Sequence, residues 1–170
     1  YNAQAAVDTG SLLVVALGVT QACNDKEQGV PMLEQLATLP DSLGQAKQLL
    51  ADTGFYSARN AGACEARGID PFIAVKQDEH HPAPHERFTE PAALAAEATP
   101  AQAMAHKLKT NASRALYALR KQTVEPVFGI IKSVLGFRQF SLRGLKKVTG
   151  EWTLVCLAWN LKRMAVVRLA

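Results

Sequence analysis

Two short apolar runs, "AKQLLAD" from Ala46 to Asp52 and "DPFIAV" from Asp70 to Val75, flank a segment punctuated like a helix. Ser57 stands where an N-cap belongs, and Gly68 stands where a helix running through Ala66 must stop. Strand, helix, strand within so short a span is the mark of a parallel βαβ unit, because parallel strands need a crossover between them. An all-helical or all-β chain is thereby excluded.

The rest of the chain arranges itself around that unit. Upstream, "YNAQAAVD", the break Thr9-Gly10 and "SLLVVALGVTQA" read as an antiparallel hairpin. Asn24 and Asp25 are placed to cap a helix over about Lys26–Leu39, with Val30, Leu33, Leu36 and Ala37 on one face and Pro40 as its stop. The expected sheet is mixed, with the hairpin at one side, the parallel strands beside it, and "AKQLLAD" buried on both faces. From Lys76 to Pro100 the periodicity dissolves into a Pro-rich surface insertion. Beyond it the pattern turns helical over Met104–Leu119 and Glu125–Leu135, with Pro126 in a first turn. The last helix, Val148–Leu169, carries Trp152, Leu154, Leu157, Trp159 and Leu161 and is expected to cover one face of the sheet. The resulting organisation is a sheet region over 1–75, an insertion over 76–100 and a helical part of the same domain over 101–170.

A chain of 170 residues, 48% of them hydrophobic, can bury a substantial core. No apolar stretch approaches the roughly 20 residues that span a bilayer, so no membrane role is expected. The opening "YNAQAAVD" has neither an initiating Met nor a signal-peptide pattern and reads as the start of a segment cut from a longer protein. Cys23, Cys64 and Cys156 form neither a CxxC pair nor a disulfide framework and read as buried thiols in a reducing compartment.

Charge is distributed unevenly. Residues 1–106 carry a net charge of −7, whereas Lys107 to Lys147 hold ten Lys/Arg against the single acid Glu125. A polyanion such as DNA suits that field, and a solvated basic helix surface is the plainer alternative. Within this stretch "FRQFSLRGLKK" interleaves Phe137 and Phe140 with Arg138 and Arg143; it reads as a DNA-contacting surface or as aromatics packed inward. Trp152 and Trp159, seven apart, read as core anchors. His80, His81 and His85 with Glu79 and Glu86 form a cluster of a kind that Pro-rich loops carry incidentally, so zinc is not expected.

Two acids stand out. Asp52 ends a strand just before a Thr-Gly break, where an ordinary turn would place an Asp anyway, and Glu125 is isolated among bases, where a surface salt bridge would explain it. The sharper reading makes both ligands of a hard divalent cation, which takes carboxylate oxygens from separate chain segments.

The stretches "YNAQAAVD", "NDKEQGVPMLEQL", "LLADTGFYSARNAGACEARGIDPFIA" and "KLKTNASRALYALRKQTVEPVFGIIKSVLGFRQFSLRGLKKVTGEWTLVCLAWNLKRM" resemble the catalytic domain of bacterial insertion-sequence transposases of the DDE class. The resemblance implies an RNase H-like α/β fold whose first strand lies upstream of Tyr1. It also implies metal-dependent DNA cleavage and strand transfer with Mg²⁺ or Mn²⁺, and DNA as partner, both transposon ends and target. Asp52 would be the second catalytic aspartate and Glu125 the glutamate. The family's signature around that glutamate is matched in kind by Tyr117, by Arg120 or Lys121, and by Lys132, implying contacts to DNA. Tyr117 and Arg120 keep the usual separation, but Arg120 to Glu125 is one residue longer than the commonest form. The first aspartate is expected on the upstream strand. Asp8 is the one substitute within the chain, at a hairpin turn that favours Asp by itself. Without that first carboxylate the segment alone is expected to be inactive. A cytoplasmic, nucleoid-associated location follows from the resemblance, which leaves room for a homodimer of the full-length protein. Two rival readings are a non-catalytic DNA-binding remnant and a structural domain with no nucleic-acid role.

Overall fold

The computed structural model describes residues 1–75 and 89–167. In chain order the elements are strands β1 (Asn2–Val7) and β2 (Val14–Thr20), helix α1 (Gly29–Leu36), strand β3 (Gln48–Ala51), helix α2 (Ala58–Glu65), strand β4 (Asp70–Ile73), and helices α3 (Pro100–Lys109), α4 (Asn111–Ser133) and α5 (Leu145–Val167). The fold is α/β. The chain divides into two compact units, one of Tyr1–Cys23 with the chain from Leu119 onward, the other of Asn24–Ala118. No helix among the described residues is long and apolar enough to cross a membrane.

In the first unit β1 and β2 pair antiparallel, Asn2 opposite Thr20 and Ala6 opposite Ala16, with a register shift between Ala6 and Val7. The turn is longer than the Thr9-Gly10 break suggests. It spans Asp8 to Leu13 and is closed by Asp8, whose carboxylate accepts from the Ser11 N–H at 2.7 Å and the Ser11 hydroxyl at 2.6 Å. Helix α5 lies on this hairpin as expected. Val148, Trp152, Cys156 and Trp159 recur every three or four residues and are all buried, the spacing that puts side chains on one helix face. The two indole N–H groups donate to hairpin carbonyls, Trp152 to Gln4 and Trp159 to Leu12, while the Asn160 amide both accepts from and donates to the Val14 backbone. Val14, Val127 and Ile131 complete the core, and Phe137 and Phe140 pack against it. Leu154, Leu157 and Leu161 belong to the opposite face and are exposed. Of the apolar run, the two tryptophans, with Val148 and Cys156 on their face, do the covering, and the three leucines do not.

In the second unit β3 and β4 pair in parallel, Gln48 opposite Asp70 and Ala51 opposite Ile73. Helix α2, capped by the Ser57 hydroxyl and followed by Gly68 at φ 70°, connects them. Leu33, Cys64 and Ile69 form the core here, and burial pushes the Cys64 thiol up to about 11. In the other unit burial pushes the Cys156 thiol up to about 12, whereas Cys23 is exposed, unlike the buried thiol expected of it. Lys107 braces β4 by pairing with Asp70, donating to the Pro71 carbonyl at 2.8 Å and lying 3.9 Å over the Phe72 ring.

Several expectations are corrected. Instead of one mixed sheet there are two two-stranded sheets among the described residues. With β4 as its only partner there, β3 is half-buried, its Gln48 exposed, and not covered on both faces. Helix α1 begins at Gly29 and has no side-chain cap; Asn24 bonds the Lys26 N–H in a separate turn. The Lys26 carbonyl, which in a helix starting there would accept from the Val30 N–H, accepts instead from the Asn60 amide and the Ser57 hydroxyl. The helical half breaks at Thr110, whose hydroxyl accepts from the Ser113 N–H, and then runs unbroken to Ser133 with Pro126 inside it. An interior Pro costs the helix one hydrogen bond; Val127 and Ile131, one and five residues beyond it, are both buried and anchor this part of α4 in the core.

Candidate functional site

Asp52 lies one residue beyond β3, exposed, as the N-cap of a short 3-10 turn over Thr53–Phe55. Its Oδ1 accepts from the Gly54 N–H at 3.1 Å, which aims the carboxylate back over its own turn. The backbone on either side is tethered. Before Asp52, the Ala51 carbonyl accepts from the Tyr117 hydroxyl at 3.0 Å; after it, the Phe55 carbonyl accepts from the Asn60 amide at 2.7 Å.

A second carboxylate reaches the same spot. A Cβ placed on Gly54 would lie 3.2 Å from Asp52 Oδ1 and 3.3 Å from Asp25 Oδ2, so the two oxygens flank one point over a residue that has no side chain to fill it. Asp25 reads in the sequence as a helix cap; the one local signal of its other position is the glycine that leaves the space open. Hard carboxylate oxygens are the donors that Mg²⁺ and Mn²⁺ require. The pair is a partial set, and among the described residues no group of three or more His, Cys, Asp or Glu converges as a metal cluster. The cluster of His80, His81, His85, Glu79 and Glu86 lies outside the described residues.

Glu125 belongs to the other unit. It is on α4, 56% exposed, with its Oε1 3.6 Å from the Arg120 guanidinium. An ion pair so open to water contributes about 0–1 kcal/mol, so it orients Glu125 more than it stabilises the helix. Lys132, seven residues on, projects from the same side of α4 and is exposed, as is Lys121. After α4 the chain from Leu135 to Gly144 is pinned by its backbone: Ser141 and Leu142 N–H groups donate to Glu151, and the Gly144 N–H donates to the Tyr1 hydroxyl. The Ser141 N–H bond, ahead of the Leu142 one, holds the Glu151 carboxyl below its ordinary range. Arg138 and Arg143 stand exposed on this segment, with Arg138 Nε donating to the Lys132 carbonyl at 3.5 Å, while Phe137 and Phe140 turn inward and meet edge to face at 5.4 Å. Of the two readings of "FRQFSLRGLKK", the arginines keep the surface and the aromatics join the core.

Asp8 does the work of a turn. The Ser11 hydroxyl bond, the largest influence, lowers its pKa, with the backbone bonds of Ser11 and Gly10 acting the same way. A lowered folded-state pKa means stability that is present above the unfolded value near 3.9 and lost as pH falls through the folded value. Asp8→Asn should therefore destabilise the hairpin at neutral pH by about 1 kcal/mol, since the bonds are charge-assisted but open to water. In urea melts the gap between wild type and variant should close below about pH 3; a gap constant from pH 7 to pH 2 would show that the carboxylate's charge is irrelevant.

Residues 87–165 match the family model of the transposase DDE domain. Over that stretch the chain is similar to transposases of the DDE class. That family is one of transposition, implies DNA as partner and typically uses a divalent metal. No curated protein and no solved structure matches. The matched stretch holds Tyr117, Arg120, Lys121, Glu125, Lys132, Arg138 and Arg143; Asp52 and Asp25 lie before it.

Proposed function

We propose that the chain is the catalytic segment of a bacterial insertion-sequence transposase, of RNase H-like descent, which cuts a DNA strand and joins the freed end to target DNA. The observation that carries this reading is the exposed Glu125 on the basic face of α4, inside the family match. In the first step a water oxygen attacks a backbone phosphorus, the P–O3′ bond breaks, and the departing oxygen takes up a proton to become a 3′-hydroxyl. In the second, that hydroxyl attacks a phosphodiester of the target, and one phosphodiester is exchanged for another. Asp52 and Glu125 would hold Mg²⁺ or Mn²⁺, together with the family's first aspartate on a strand preceding Tyr1. A divalent cation there supplies charge to the phosphoryl oxygens and lowers the pKa of the attacking water. Lys132, Arg138 and Arg143, with Arg120 and Lys121 beside Glu125, hold the phosphates in line and give the DNA its register without reading its sequence.

Nicking of a supercoiled plasmid in Mg²⁺ or Mn²⁺, by a chain extended upstream to include the preceding strand, tests the reading. Asp52→Asn and Glu125→Gln should each cut the nicking rate by about three orders of magnitude, as expected when a charged ligand of an electrostatic clamp is lost. Nicking that survives both substitutions, or that needs no metal, would end this reading. Salt-dependent DNA binding without nicking by the extended chain would replace it with that of a DNA-binding remnant.

A further inference from the structure

We infer that Asn60 and Tyr117 are positioning residues which clamp the Asp52 turn from both sides and hold its carboxylate against that of Asp25, an inference that rests on the proposed metal role of Asp52. All four residues lie in one unit. Asn60 is 1% exposed, and its amide Nδ2 donates to two carbonyls at once, Lys26 at 2.8 Å and Phe55 at 2.7 Å. Lys26 follows Asp25 directly and Phe55 closes the turn begun by Asp52, so one buried amide ties together the two turns that carry the acids. Ser57 adds a second bond to the same Lys26 carbonyl at 3.2 Å. The slot for the amide is made by Gly29, where a Cβ would stand 2.6 Å from Asn60 Cγ, closer than any atom could remain. On the other side the Tyr117 hydroxyl holds the Ala51 carbonyl, immediately before Asp52. The backbone is thus fixed one residue before the acid and three after it, and the Gly54 N–H sets the direction of the side chain between. Tyr117, which the family resemblance assigns to DNA, here donates a hydrogen bond to the last residue of β3, immediately before Asp52.

Supports of this kind outside a ligand set act on metal affinity, because two like charges must be held near each other before the cation arrives. Mn²⁺ titration of the chain, read from the free-ion EPR signal, tests this without any turnover. Tyr117→Phe removes one hydroxyl and keeps the ring, so the fold should survive; Gly29→Ala displaces the Asn60 amide without altering Asn60 itself. Each should weaken Mn²⁺ binding by about tenfold, with Asp25→Asn and Asp52→Asn weakening it at least as much. Affinity for a DNA duplex at fixed salt should be unchanged by Tyr117→Phe. If Asp52→Asn leaves Mn²⁺ binding intact, the proposed metal role falls, and this inference with it. If Asp52→Asn abolishes binding while Tyr117→Phe and Gly29→Ala leave it at wild-type strength, the positioning role alone is overturned. Weaker DNA binding with unchanged Mn²⁺ affinity in Tyr117→Phe would return that residue to the DNA.

Discussion

Trp152→Ala should cost the unit that contains the hairpin about 3–5 kcal/mol, the usual penalty for emptying a buried aromatic site. Trp152 is 2% exposed, stacks on Phe128 with ring centroids 5.5 Å apart and donates its N–H to the Gln4 carbonyl at 2.9 Å. The substitution removes the largest fully buried side chain, opens a cavity between α5 and the hairpin, and takes from the Gln4 carbonyl its indole donor. Against a total of about 5–15 kcal/mol for a typical domain, that loss leaves little. Trp152→Phe keeps most of the ring and loses only the donor, so about 1–2 kcal/mol is expected of it. Urea unfolding followed by circular dichroism measures both. A Trp152→Ala midpoint within about 1 kcal/mol of wild type would mean that α5 is not anchored through this ring.

Replacing Arg138 and Arg143 together with Ala should flatten the salt dependence of DNA binding, with the slope of log affinity against log salt falling in magnitude by about 1.8 if each arginine neutralises one phosphate. At about 50 mM salt the same change lowers affinity by roughly two orders of magnitude. Both side chains are exposed on a segment whose backbone is held by Glu151 and Tyr1, so their removal should leave the fold intact. They stand within a stretch holding ten bases and one acid. Filter binding or fluorescence anisotropy of a duplex across a salt series gives the slope. An unchanged slope would assign the phosphate contacts to other bases, and salt-independent binding would remove the electrostatic argument altogether.

Where structure follows from neighbours in the chain, it was legible beforehand. Ser57 caps α2 and Gly68 ends it, the two short apolar runs pair in parallel, and the two runs beside Thr9-Gly10 pair as a hairpin, though with a longer turn. The strand-end position of Asp52 and the isolation of Glu125 among bases are likewise properties of the string of residues. The late start of α1 is not, because the Lys26 carbonyl is claimed by an amide 34 residues away. Nor is the passage of α4 through Pro126, which a local reading turns into a helix start.

The order of residues was enough to tell most strand segments from helical ones and to show where the positive charge gathers. Packing alone selects which face of α5 is buried, sends the aromatics of "FRQFSLRGLKK" inward while its arginines stay outside, and brings Asp25 over Gly54 beside Asp52. The physical reason is range. Caps, turns and periodicity act over a few residues and leave a local imprint, whereas the bonds from Asn60 to Lys26, Tyr117 to Ala51 and Trp152 to Gln4 join residues 34, 66 and 148 positions apart and leave none.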